Sequence, residues 1–470
     1  MADANVSKNS ATASDVDLFR GLDKSSLTKL VWFLSIIGAL GGFLFGYDTA
    51  IIGTAIVFAG PLFHMTNAQI GLSVASVTLG AALGAGLAGY YTDRLGRKFF
   101  LIIDAALFGV FAFLLALSIN TFTFFVWRFL LGIGIGGDSV ISVVYIAEFA
   151  PIHKRGTLLY LQQVMIVVGI FIAFWIGYAL TPSGNWRLMI GLGVIPAILI
   201  LALRSYLPDS PRWLLSKGRN TDLKKSLVRM GLSLSDEEIN RNLDIARKTK
   251  EGKWSDLFKT SMIGLTTIAI LIGVLSQFTG INVFIYYSPT IFAHLGYSAT
   301  SAAFTTGWLV GLGILWPMFI TGFFMIDKLG RRRSFMASYL GLSVMLFLAV
   351  FFLKFTTGII LGVGLLIGIF IYLFMFEVAA GPGTWTMGPE MFPTSLRGRG
   401  TAVLSIAVWL GDFFVSATFP IFLASIGLIG TFLIYGIVSL AAFILWILVL
   451  PETSHRTLEV ISKELVGREV

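Results

Sequence analysis

Residues 31–58 read VWFLSIIGALGGFLFGYDTAIIGTAIVF, and the only charge in the stretch is Asp48. About 20 apolar residues in a helix cross a ~30 Å hydrocarbon core, so this segment predicts a transmembrane helix. Similar runs lie at about 70–91, 99–119, 122–146, 158–180 and 188–207. After a polar interval they resume at about 262–292, 300–326, 335–354, 358–387, 399–424 and 427–450. Lipid leaves no partner for free backbone groups, so each run must be a helix. Transmembrane strands alternate in polarity over ~10 residues, whereas these runs are continuously apolar, which argues against a β-barrel.

Composition agrees. The 470 residues are 56% hydrophobic and 13% charged, against roughly a quarter charged in soluble domains, and the mean hydropathy is +0.86. There is no cysteine, which excludes disulfides, thiolate zinc sites and thiol nucleophiles. His64, His153, His294 and His455 stand apart from one another. No metal, no cofactor and no enzymatic centre is expected. The net charge of +9 is expected to belong to loops at the membrane face rather than to a nucleic-acid surface.

Orientation follows from the basic loops, since Lys and Arg accumulate on the cytoplasmic side. The loops after spans 2, 4, 8 and 10 carry Arg94, Arg97, Lys98, Lys154, Arg155, Lys328, Arg331, Arg332, Arg333, Arg397 and Arg399. Both termini are therefore expected in the cytoplasm. Residues 1–30 read as a cytoplasmic tail without a cleavable signal, and 451–470 as a second tail. Residues 208–261 read as a cytoplasmic linker of short amphipathic helices, with Leu223, Leu227 and Met230 on one apolar stripe and Ile239, Leu243 and Ala246 on another.

The chain repeats itself. Asp93-Arg94-Leu95-Gly96-Arg97-Lys98 returns as Asp327-Lys328-Leu329-Gly330-Arg331-Arg332, 234 residues later. Glu148-x-x-Pro151-x-x-x-Arg155-Gly156 returns as Glu390-x-x-Pro393-x-x-x-Arg397-Gly398, 242 later, and Pro208-Asp209-Ser210 as Pro451-Glu452-Thr453, 243 later. Three motifs in one order at nearly one offset imply two copies of a six-helix unit, 31–207 and 262–450, in the same orientation. Packed repeats with a site between them at mid-membrane are the design of a secondary transporter.

Gly89-x-x-x-Asp93-Arg94-x-Gly96-Arg97-Lys98 resembles the hallmark loop of the major facilitator superfamily. The sugar porter family is resembled over nearly the whole chain. The residues that carry this are Gly42-Phe43-Leu44-Phe45-Gly46-Tyr47-Asp48, Arg128, Pro208-Asp209-Ser210-Pro211-Arg212, Gln277-Phe278-Thr279-Gly280-Ile281-Asn282 with Tyr286-Tyr287, Gly381-Pro382-x-x-Trp385, and Pro451-Glu452-Thr453. The resemblance implies an all-α membrane protein of major facilitator fold, twelve helices in two halves, working by alternating access in the cell membrane as a monomer.

It also implies roles. Asp93, Arg94, Arg97, Glu148, Arg155, Asp327, Arg331, Glu390 and Arg397 would form a cytoplasmic gate, or else anchor helix ends among headgroups. Asp48 is a lone acid in an apolar span, which costs several kcal/mol unless paired or neutralised. Arg128 is its natural partner, and the resemblance implies that, as in proton-coupled members, protonation of the Asp releases the Arg; a permanent structural pair is the alternative. Gln163, Gln277 and Asn282 offer amides that donate and accept, suiting a polyhydroxyl ligand, and Phe45, Tyr286, Trp385 and Trp409 offer flat apolar faces. Amides can instead glue helices together.

Departures keep the solute open. Ser276 replaces the first of two glutamines, Leu315 an asparagine, and Asp412 another asparagine. Gly134-Ile135-Gly136-Gly137-Asp138 is similar to phosphate:H⁺ symporters, and Asp104 is an acid without an evident partner. The expected function is proton symport of a small polar solute. A monosaccharide leads, phosphate or an organic acid is the alternative, and a non-transporting sensor comes third. An anion site would need a free cation in the spans, where little but Arg128 is visible.

Overall fold

The computed structural model describes residues 27–149, 155–229, 237, 252–320, 330–392 and 396–450. Every long apolar run is helical, and no strand occurs among the described residues. The first half holds α1 (Leu27–Leu62), α2 (Asn67–Leu95), α3 (Arg97–Ala116), α4 (Thr121–Phe149), α5 (Arg155–Leu180) and a sixth span broken into α6 (Trp186–Gly191) and α7 (Val194–Ser205). Two short helices follow, α8 (Pro211–Ser216) and α9 (Asn220–Arg229). Leu223 and Leu227 of α9 are buried, so this part of the amphipathic stripe faces protein. Met230, Ile239, Leu243 and Ala246 lie outside the described residues.

The second half holds α10 (Ile263–Phe278), α11 (Ile281–Tyr286), α12 (Ser288–His294), α13 (Ala299–Thr306), α14 (Leu312–Ile320), α15 (Arg331–Phe355), α16 (Gly358–Met375), α17 (Gly381–Met391) and α18 (Arg397–Val449). Residues 398–449 form one helical run far longer than a single crossing requires. The run breaks at Gly427, whose φ of 68° lies in the left-handed region, dividing it into two spans. With the ten apolar runs before it, this gives the twelve crossings expected.

Small residues set the packing of the first half. A Cβ on Gly132 or Gly136 of α4 would strike the carbonyls of Val77 and Ala81 on α2. One on Gly80 or Gly84 of α2 would strike those of Phe129 and Ile133. Gly46 on α1 and Gly169 on α5 are related in the same way, against Ile166 and Phe43. Lipid tails are as apolar as leucine, so helices gain little by hiding apolar surface and associate through this close contact. The halves meet similarly where Gly53 of α1 backs onto the Tyr286 carbonyl and Gly71 of α2 onto that of Ala417. An aromatic group of Trp175 and Tyr178 with Phe304 and Trp308 joins α5 to α13 and the turn after it.

The halves differ in continuity. Span 7 is interrupted at Gly280 (φ 89°). Spans 8 and 10 each contain a π-helical turn, Gly307–Gly311 ahead of Pro317 and Phe376–Ala380 ahead of Gly381-Pro382. Irregular backbone at membrane depth is tolerated where protein or a water-filled cavity covers it. If the glycine seam holds α2 against α4, Gly136→Val should lower stability by about 1–3 kcal/mol through overpacking. Gly362→Val, where a side chain meets nothing within 4 Å, should change it little. Thermal unfolding in detergent measures both, and equal losses would refute the seam.

Candidate functional site

The first-half centre is a buried ion pair. Asp48 on α1 and Arg128 on α4 are 3% and 0% exposed, and Arg128 Nη1 donates to Asp48 Oδ1 at 3.1 Å. Arg128 Nη2 donates to the Val74 carbonyl at 3.3 Å. The pair is monodentate: Asp48 Oδ2 and Arg128 Nε are buried and have no hydrogen-bond partner among the described residues. The free oxygen keeps lone pairs for a proton, and the Val74 carbonyl holds the guanidinium if the carboxylate lets go.

The interruption of span 7 builds the second-half centre. In an unbroken helix residues five apart point away from each other. The break at Gly280 instead brings Asn282 Nδ2 to Gln277 Oε1 at 2.8 Å, and Gln277 Nε2 donates to Ser276 Oγ at 3.0 Å. Backbone groups freed by the break find side chains. Thr279 Oγ1 donates to the Ser276 carbonyl at 2.7 Å, and Tyr372 Oη to the Thr279 carbonyl at 2.9 Å. One helical turn on, Tyr286 Oη donates to Asp412 Oδ2 at 3.1 Å, and Ser416 Oγ to Asp412 Oδ1 at 2.8 Å. Asp412 is thus accommodated where the family has an amide, with a donor on each oxygen. The Tyr286 carbonyl also backs onto Gly53 of α1, so this residue lies where the two halves touch.

The aromatic residues divide. Trp409 is buried, packs edge-on against Phe45 at 5.2 Å between ring centroids, and its indole N–H has no acceptor. A buried unsatisfied donor costs about 1–3 kcal/mol, so Trp409 is a better ligand contact than its place in the sequence suggests. Trp385 is half-buried, as is Gln163, which makes no hydrogen bond among the described residues; its neighbour Gln162 is tied to Ser142 at 2.7 Å. Gln163 therefore keeps its amide unspent.

At the charged end of the bundle, Arg97 pairs with Glu148 at 3.0 Å and also donates to the Thr92 carbonyl at 3.1 Å. Arg94 is exposed and rests on Tyr90. Asp327 lies outside the described residues, as do the side chains of Asp93, Arg155, Arg331, Glu390 and Arg397. The contact among the expected gate residues that the structure does show, Arg97 to Glu148, joins two residues of the motif loops.

Two acids left open by the sequence come together. Asp138 forms an ion pair at 2.5 Å with Arg204 of α7, and Asp104 faces the same small cavity. All lining residues belong to the first half, and none belongs to the Gln277–Asn282 network. The Asp138 of the span-4 motif is therefore engaged with Arg204 within the first half. Arg204 and Glu377 escaped the sequence reading. Arg204 reads as an interfacial arginine ending an apolar run, and Glu377, which is buried with one oxygen unpartnered, as one polar residue in a long apolar window.

Comparison with known proteins follows the same lines. The family described as "Sugar (and other) transporter" matches residues 34–465. An arabinose-proton symporter of Bacillus subtilis is 33% identical over 453 residues, covering 94% of this chain and 96% of that protein. The D-xylose transporter of Levilactobacillus brevis is 34% identical over 445 residues, covering 92% and 95%. The solved structure of the proton:xylose symporter XylE bound to 6-bromo-6-deoxy-D-glucose superposes with a TM-score of 0.77 at 30% identity, over 93% of this chain and 99% of that one. The all-α twelve-helix architecture is theirs. This integral membrane chain belongs to the sugar transporter family of the major facilitator superfamily.

Proposed function

We propose that this chain is a proton-coupled symporter that carries a monosaccharide across the cell membrane by alternating access, with the basic loops and both termini in the cytoplasm. The carrying observation is the monodentate Asp48–Arg128 pair, buried inside the first half. A proton on Asp48 Oδ2 neutralises the acid and frees Arg128 towards the Val74 carbonyl. Tyr286 passes the altered field to the Asp412 and Gln277–Asn282 networks, where sugar hydroxyls would replace the internal hydrogen bonds. Phe45, Trp385 and Trp409 supply ring faces, and Gln163 reaches in from the first half. Proton and solute then bias the same rearrangement, each by its differential affinity for the two states.

Charge favours a neutral solute. Among the described residues the buried cations are Arg128 and Arg204, each paired, while Asp48, Asp104, Asp138, Glu377 and Asp412 are buried acids. An anion would enter an interior already in negative excess, and its removal from water would go uncompensated. The proton and sugar named for the relatives above point the same way. On the cytoplasmic face, Arg97–Glu148 together with Asp93, Arg94, Arg155, Asp327, Arg331, Glu390 and Arg397 would hold the gate shut in the outward-open state.

Three outcomes follow from these roles. In proteoliposomes with an imposed pH gradient, Asp48→Asn should abolish concentrative uptake and retain counterflow; accumulation by this variant would show that coupling lies elsewhere. Trp409→Phe, which deletes the indole N–H, and Asn282→Ala should each weaken sugar binding by about 1 kcal/mol, roughly fivefold. Asn185→Ala, whose side chain caps α6, should leave binding unchanged. Titration with a sugar panel checks this, and a response to phosphate or a carboxylate with none to any sugar would overturn the solute. Glu148→Gln should shift spin-label distances across the cytoplasmic side towards opening. Labels can be placed singly because the chain has no cysteine, and unchanged distances would remove the gate role.

A further inference from the structure

Two carboxylates and one guanidinium meet inside the first half, apart from the coupling pair. Arg204 Nη2 lies 2.5 Å from Asp138 Oδ1, and the guanidinium also donates to the Leu101 carbonyl at 2.9 Å and the Gly38 carbonyl at 3.1 Å. Asp104 is 5% exposed, and its Oδ2 has no hydrogen-bond partner. It opens on a cavity lined also by Asp138, Arg204, Gly41, Leu44 and Phe108. The water-sized space there is about 10 Å³, the threshold for a single water.

The surrounding helices are shaped for this group. A Cβ on Gly41 of α1 would collide with the Asp138 carboxylate and Arg204 Nη2, and one on Gly137 of α4 would come 2.8 Å from Asp104 Oδ1. From α1, α3, α4 and α7, the titratable or charged side chains facing the cavity are Asp104, Asp138 and Arg204. Arg204 cannot give up its proton and offsets one carboxylate. The second negative charge has no described cation, and burial without a partner disfavours it strongly.

We propose that Asp104 and Asp138 share one proton, forming a second proton-binding site distinct from Asp48. Gly41 precedes Asp48 by seven residues, so the site sits about 10 Å along α1 towards the basic face. On α4, Asp138 falls midway between Arg128 and Glu148. A proton leaving Asp48 towards that face meets this site before it meets the Arg97–Glu148 clamp. Its part in transport rests on the proton-coupled reading above; its occupancy does not.

Infrared spectra of the reconstituted full-length protein at neutral pH, without substrate, test the occupancy. With a shared proton, Asp104→Asn and Asp138→Asn each lose one carboxylic-acid C=O band relative to the parent and no carboxylate band, because the remaining acid ionises against Arg204. Either variant suffices if the other does not fold. Loss of a carboxylate band with no acid band, in whichever variant folds, overturns the proposal; a metal cation held in place of the proton gives that overturning result too. Repeating the comparison in an Asp48→Asn background should give the same loss of one acid band. Disappearance of the difference there would assign the band to Asp48 and sink the second site.

Discussion

Arg128 cannot shed its proton at any pH a cell meets, so its burial inside an apolar span constrains everything near it. It needs an anion, and Asp48 on α1 is that anion. This brings α1 and α4 together at one height. It also makes the stability of that contact depend on whether Asp48 carries a proton. Because the second Asp48 oxygen and Arg128 Nε are unpartnered, the pair is held by less than a bidentate clasp would supply. A stronger pair would resist protonation, and a weaker one would not exclude water. The same logic recurs along α4, where Arg128, Asp138 and Glu148, ten residues apart, pair with α1, α7 and α3 in turn. About 15 Å separates successive rungs, so one helix carries charge pairs along most of its length.

The two halves divide the labour. In the first, helix backbones are largely continuous and seamed by glycines, and Asp48, Asp138 and Glu148 are held by ion pairs. In the second, spans 7, 8 and 10 are interrupted, and the polar groups around the break in span 7 are largely amides, hydroxyls and phenols bonded to one another, with Asp412 accepting from two of them. Such groups can exchange an internal hydrogen bond for one to a solute hydroxyl at little net cost. Ion pairs cannot be exchanged so easily. On the proposed reading, solute binding would fall to the broken half and coupling to Asp48 in the continuous one, and Tyr286, packed against Gly53 of α1, lies where the halves touch.

How far the sequence could be read depended on the length scale of each signal. Twelve apolar runs and a six-helix repeat are long-range patterns set by bilayer thickness, and the structure reproduces them within a few residues at most ends. Asp48 and Arg128 were legible because isolated charges in apolar runs demand partners, and few were available. Arg204 was not, because an arginine closing a span reads as an anchor in the headgroups, and only the packing of α7 against α3 and α1 turns it inward. Trp409 was legible as an aromatic face but not as an unpaired donor: whether an indole N–H meets an acceptor is a property of neighbours far away in the chain. Gln277 and Asn282, five apart, gave no sign of bonding to each other, since that contact exists only because Gly280 interrupts the helix.

The surplus of buried acid is the feature that ties coupling to the choice of solute. Five buried carboxylates face two buried guanidiniums among the described residues, and a low-dielectric interior does not hold three uncompensated negative charges. Protons are the cheapest compensation, since they need no cavity and arrive through any transient water. An interior of this kind attracts protons from whichever side has access, repels anions, and is indifferent to a neutral polyol. Under the proposed function, selectivity against phosphate would need no dedicated filter, because an anion would enter an interior already rich in carboxylates, and Asp412 in a family amide position would not favour one.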